Sequence, residues 1–265
     1  MHKLLRTVLP LLAACASLAC GPALAGAGGT TRIGDVALGV IDLTPDDGVN
    51  AGYTIDSFES RLMVYTDTRN TGGGFDPTTV SPLPYTAGNA RLAHNTATAV
   101  ATTSGAVGDV DARVTTGTAL GRDNVVSADS QQRLWLTLSP HTLLTVSGNV
   151  FTHATRSLGA GEGYGVFGWA SVDIGDSDEQ TTSYLSRESA LIWGENTSAA
   201  GNSEFFTLAF ANPGEAAMAV SLNFMAYSDI TVEAAVVPEP ASWGMLLAGL
   251  VLMGSAARRA SQRAR

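Results

Sequence analysis

Residues 218–225 read MAVSLNFM, and this octapeptide decides the fold. Met218, Val220, Leu222 and Phe224 alternate with Ala219, Ser221, Asn223 and Met225. A period of two puts the first set on one face of a strand, whereas a helix would scatter it. The same alternation runs through Ile230, Val232 and Ala234, after Ser228-Asp229, which reads as a turn pair. It also runs through Phe206, Leu208 and Phe210, ahead of Asn212-Pro213-Gly214. In that tripeptide proline fixes φ and glycine supplies a positive φ, so the turn has a mechanism. The three runs predict a β-meander at the C-terminal end of the body.

Working upstream, Leu134, Leu136 and Leu138 make a strand ended by Ser139-Pro140, and residues 142–151 make the next. Tyr164, Val166, Ala170 and Val172 form another, with Gly165 and Gly168 inside it. Residues 31–43 and 52–66 flank the turn-rich Pro45-Asp46-Asp47-Gly48, and residues 92–103 and 110–120 read as two Thr/Ala-rich strands. Residues 70–90, rich in Gly and Pro, read as a long surface loop. About ten short strands at this spacing predict an all-β body, an antiparallel β-sandwich or jelly roll.

The two ends read differently. Residues 1–6 (MHKLLR) are basic, residues 7–20 are apolar, and Ala23-Leu24-Ala25 is a small-x-small site before Gly26. That order is a secretory signal peptide over 1–25, cleaved after Ala25 and implying the secretory translocon as a partner. Leu12-Ala13-Ala14-Cys15 also matches a lipoprotein box, in which Cys15 would be acylated. With cleavage after Ala25 the mature chain holds no cysteine, so core burial rather than disulfides must stabilise it. At the other end, Val237-Pro238-Glu239-Pro240 precedes an apolar run over 241–257 and a basic tail over 258–265. At ~1.5 Å per residue the run spans about 25 Å, a little short of a ~30 Å hydrocarbon core, which snorkelling arginines extend. Trp243 takes the interfacial position at one end, and Arg258 and Arg259 hold the other end cytoplasmic. Pro238 and Pro240 keep the tetrapeptide extended, as a peptidase requires. The expected precursor is a single-pass inner-membrane protein with an exported body over 26–236.

Between Gly26 and Val237 nine arginines and no lysine stand against 23 acidic residues, a net charge of −14. Such a body suits neither nucleic acid nor anionic lipid.

The tripartite C-terminus resembles the PEP-CTERM sorting signal of Gram-negative bacteria. The resemblance implies recognition of Val237-Pro238-Glu239-Pro240 by an exosortase, an integral-membrane cysteine transpeptidase. It further implies association with exopolysaccharide and biofilm, and a final home at the cell surface or in the extracellular matrix. Two internal stretches, IDLTPDDGVNAGYTI (41–55) and RLWLTLSPHTLLTVSGNV (133–150), resemble extracellular domains found ahead of this signal.

Chemistry-bearing motifs are sparse. The body's histidines are His94, His141 and His153, with no His-Glu-x-x-His and no Gly-x-Ser-x-Gly. The chain reads as non-enzymatic and needs no cofactor. Asp173, Asp176, Asp178 and Glu179 form the best ligand candidate, a calcium loop or a solvated acidic turn. The EF-hand order is missing. Phe167 and Trp169 share a face opposite Val166 and Val172, and with Trp135 and Trp193 they form either a sugar-stacking platform or core. Thr96, Thr98, Thr102 and Thr103 lack the fixed spacing an ice-binding array needs. A structural matrix protein is the first reading and a calcium-assisted carbohydrate-binding or adhesin module the second. A polysaccharide hydrolase, which would need two carboxylates across a cleft, is the third.

Overall fold

The computed structural model describes residues 26–69, 72–117, 124–158, 162–176, 182–193 and 195–234. The signal-peptide site at Ala23 and Ala25 lies outside the described residues, as does everything from Val237 to the basic tail. Twelve strands are described: β1 (Ala27–Asp42), β2 (Tyr53–Asp67), β3 (Phe75–Val80), β4 (Gly88–His94), β5 (Ala97–Thr103), β6 (Val110–Thr116), β7 (Val125–Leu138), β8 (Thr142–Arg156), β9 (Glu162–Asp176), β10 (Thr182–Leu191), β11 (Ala199–Asn212) and β12 (Met218–Ala234). They form two six-stranded sheets, sheet I in the order β11-β8-β1-β6-β5-β4 and sheet II in the order β10-β9-β12-β7-β2-β3. Every ladder is antiparallel, so the body is a β-sandwich, as the alternation predicts. Among the described residues no helix is long and apolar enough to cross a membrane.

Even-numbered positions of β7, β9 and β12 face the core. Leu134, Leu136, Leu138, Val172, Ile174, Leu222 and Phe224 are all buried. The β5–β6 part of sheet I answers with smaller side chains, Ala97, Ala99, Ala101, Ala112 and Val114, while its β1, β8 and β11 bury Ile33, Leu144, Val146, Phe206 and Phe210. Large residues opposite small ones interdigitate without voids.

The expected meander is not formed. Residues 218–234 are one continuous strand, and β11 lies in the other sheet. Ser228-Asp229 is mid-strand, because the buried Ser228 hydroxyl has core partners. It donates to Thr31 Oγ1 at 2.9 Å, and its oxygen lies 3.1 Å from the Ala112 carbonyl. Gly168 lets Thr31 in, since a Cβ there would meet Thr31 Oγ1 at 2.7 Å. The Gly/Pro-rich stretch is not one long loop either. It holds β3 and the start of β4, leaving 81–87 as the connection between the sheets. Residues 92–103 are parts of two strands, β4 and β5, joined by a turn in which Asn95 has φ +54°.

Two further clamps use buried polar side chains. Gln132 Nε2 donates to Thr103 Oγ1 and the Ala106 carbonyl, while its Oε1 accepts from the Gly108 N–H at 2.6 Å. This holds the β5–β6 loop against sheet II. Arg156 donates to the carbonyls of Tyr164, Glu195 and Thr197, at 2.7, 2.8 and 2.9 Å. The two stretches quoted above for their resemblance meet at one end of the sandwich. Leu43 N–H donates to the His141 carbonyl and Ser139 N–H to the Gly52 carbonyl. His141, at φ +53°, sets Nε2 3.2 Å from Glu215 and 3.9 Å from Asp47.

Candidate functional site on the outer face of sheet II

β3 carries Pro77, tolerated because this is an edge strand, and it pairs only with residues 62–67 of β2. Ser81-Pro82-Leu83-Pro84 then leaves the sheet, because neither proline can extend a ladder. Below Leu62 the flank of β2 is open, and a depression of about 720 Å³ lies there. Its floor is Glu59 and Arg61 of β2 with Gln131 and Arg133 of β7, and Pro82 and Pro84 form its wall. Tyr85, at φ +58°, backs the wall by stacking on Phe58 at 4.6 Å.

A β-bulge between Ile55 and Ser57 re-aims Asp56. Its carboxylate accepts from Thr137 Oγ1 at 2.6 Å. Asp56 and Arg133 also line a second depression, of about 250 Å³, with Trp135, Ser221 and Asp176. The two depressions therefore share a border and form one trough across β2, β7 and β12. Trp135 stands between Ser57 and Ser221 in the register, small neighbours on both sides. The Arg133 guanidinium lies 4.8 Å from its ring centroid. Chemically the trough offers a stacking surface, two cations, an amide and three carboxylates, with no nucleophile–base pair among its linings.

Beside the trough the same face carries an aromatic–acid network. Tyr227 OH donates to Asp229 Oδ2 at 2.9 Å and lies 3.1 Å from Tyr65 OH. Burial holds the carboxyl of Asp229 above the usual carboxylate range, although the Tyr227 bond opposes this. Burial likewise pushes Asp129 up to about 6, against the pull of Arg61 and the bond from Gln131 Nε2. Asp129 Oδ1 is buried with no hydrogen-bond partner. Asp129 and Asp229 are diagonal neighbours on β7 and β12, on one sheet face.

The anticipated aromatic pair is where its parity puts it. Phe167 and Trp169 lie on the outer face, with Phe167 6.3 Å from Tyr227 and Trp169 Nε1 donating to Ser186 Oγ. Trp193 packs over Gly165, where a Cβ would meet its Nε1 at 2.8 Å. Asp173 lies within β9, and Asp176, the last residue of that strand, lines the second depression. Asp173 accepts from Asn223 Nδ2 at 2.8 Å. Asp178 and Glu179 lie outside the described residues. Among the described residues no group of three or more His, Cys, Asp or Glu is placed to hold a metal ion. Sequence reasoning missed Asp56, Arg61, Gln131 and Arg133. They come together only through the β2–β7 register and one bulge, which leave no local motif.

Comparison with known proteins bears on the segment after β12. The family model for the PEP-CTERM protein-sorting motif matches residues 236–260. This chain is a PEP-CTERM-containing protein. The match covers the tetrapeptide, the apolar run and the first two arginines of the tail, the three parts read above. In a PEP-CTERM protein they imply export, a membrane-anchored precursor and exosortase processing. No curated protein matches the chain. One solved structure is described as "Structural basis for the promiscuous specificity of the carbohydrate-binding modules from the beta-sandwich super family". It covers 77% of this chain and 96% of its own, at 9% identity and a TM-score of 0.13. A likeness that low carries no argument about this PEP-CTERM protein.

Proposed function

We propose that the protein is a non-enzymatic β-sandwich delivered by the secretory translocon and anchored in the inner membrane by residues 241–257. An exosortase then processes it at Val237-Pro238-Glu239-Pro240, and it resides at the cell surface or in an exopolysaccharide or biofilm matrix. The observation that carries this reading is the sorting-motif match over 236–260, directly after β12. The acidic, cysteine-free body is consistent with it. The test is fractionation of cells with and without the exosortase, with mass spectrometry of the mature C-terminus. The expected result is a truncated, surface or released form that needs the exosortase. Full-length, membrane-bound protein in both strains overturns the proposal.

A second reading, carbohydrate binding, is favoured by the trough on sheet II. An open, polar channel with an indole flanked by serines suits a sugar chain, whose apolar faces stack on aromatics while its hydroxyls meet polar groups. Affinity electrophoresis against immobilised polysaccharides tests it. Unretarded migration through all of them removes this reading and leaves the sorting proposal intact.

A further inference from the structure

We propose that β11 is a docking edge for a second copy of this chain. The two strands pair antiparallel about Thr207, so that sheet I continues from one copy into the other.

Two open sheets have four edge strands, here β3, β4, β10 and β11. An edge strand leaves alternate backbone N–H and C=O groups without a strand partner, and proteins blunt it with shortness, proline or exposed charge. Three of the four are blunted in this way. β3 has six residues, among them Asp76 and Pro77. β4 has seven, with the exposed Arg91. β10 carries the exposed Glu188. β11 has none of these devices. It runs for 14 residues, pairs with β8 in unbroken register and contains no proline. Its single charge, Glu204, is tied to Arg187 of β10 at 2.6 Å. From Phe205 to Ala211 it reads FFTLAFA, without charge, proline or glycine, a composition that pairs edge to edge readily. Among the described residues no strand lies beyond it.

Its faces say what can lie beside it. Phe206 and Phe210 are buried in the core. On the outer face Ser203, Thr207, Ala209 and Ala211 are small, and only Phe205, 66% exposed, is large. The body carries a net charge of −14, so a second copy is repelled wherever acidic surfaces meet and least along a neutral edge. A charged strand would find no opposite charge free on β11. A neutral strand fits, and β11 is itself such a strand.

Charge and size then set the register. Pairing about Phe205 would bring the two Glu204 side chains into a diagonal like-charge contact. Pairing about Thr207 sets Glu204 against the partner's Phe210 and holds the two carboxylates about 20 Å apart along the strands. It also places Phe205 against the partner's Ala209, large against small, and Thr207 against the partner's Thr207, a favourable cross-strand pair.

The test uses the full chain in detergent with Cys15→Ser and Cys20→Ser, which leaves no thiol. On oxidation, Thr207→Cys should give a disulfide-linked dimer. Ser203→Cys and Ala211→Cys should each give at most about a tenth as much, because their thiols stand about 27 Å apart in this register. Phe205→Cys and Ala209→Cys chains should link when mixed and not when alone. Equal linkage at all positions would mean parallel in-register stacking and overturns the proposal, as does linkage at none. In sedimentation velocity, Thr207→Lys should weaken dimerisation at least tenfold, whereas Thr98→Lys, the same charge on β5, should leave it within twofold. Higher salt should tighten the dimer by screening the acidic bodies, and loosening with salt overturns the neutral-edge contact. Equal melting temperatures verify the folds. A Thr207→Lys chain that dimerises like the native one overturns the proposal, because the contact would then lie elsewhere, for example in the apolar run over 241–257.

Discussion

Sheet II sends Leu62, Leu134, Leu136, Leu222 and Phe224 into the interface, whereas sheet I is divided: β5 and β6 meet them with Ala97, Ala99, Ala101 and Ala112, and β1, β8 and β11 add Ile33, Leu144, Phe206 and Phe210. The same two sheets also differ outside. On sheet I Arg32 and Arg113 lie against carboxylates, while on sheet II Arg133 lies over the Trp135 ring, with Glu59 opposite it in the ladder. The division of labour is physical. Bulk in the core fixes the separation of the layers, and methyls let them approach. The sandwich therefore depends on large side chains from sheet II and from β1, β8 and β11, and on smallness in β5 and β6.

Reversing either role should break that arrangement. Leu222→Ala, at a fully buried site, should cost about 3–4 kcal/mol of unfolding free energy through lost burial and the cavity left behind. Urea denaturation measures it. Arg156→Ala should cost about 3 kcal/mol by leaving the carbonyls of Tyr164, Glu195 and Thr197 short of donors. An equal midpoint for variant and native chain would show that water replaces the guanidinium.

Asp129 sharpens the contrast between the outer faces. Its folded pKa, about 6, lies above the unfolded value, so the native state binds the extra proton. Stability contributed by this group is full below pH ~4 and declines as pH rises through about 6. Asp129→Asn should therefore stabilise the protein by about 2 kcal/mol at pH 8 and by nothing measurable at pH 4. Thermal melts at the two pH values decide. An equal gain at both would mean that charge is not the cause. The smallest effect belongs to sheet I. Ala99→Val, one step of overpacking, should cost about 1 kcal/mol, and the same urea titration reads it.

The contrast also explains what the sequence could reveal. Strands of sheet II with Leu or Phe at every second core position, such as 134–138 and 218–224, were legible from alternation alone. The upstream half of β7 was not, because its core positions mix Val126 and Ala128 with Ser130 and Gln132, and the polar Ser127 and Asp129 are buried on its other face. Such residues read as a loop until their partners on other strands are known. Ser228 misled for the same reason, as a turn former whose hydroxyl is satisfied by Thr31 and Ala112 from distant sequence. The sorting signal was legible because it is linear. The trough was not, because Arg61 and Gln131 become neighbours only by pairing across 70 residues of chain.

The first and last strands of the body are both interior strands. β1 is flanked by β8 and β6, and β12 by β9 and β7. The middle of sheet II is therefore missing until the final described residues are in place. The same placement means that an exopeptidase nibbling from either end finds no edge strand to peel, and it must unzip two ladders at once.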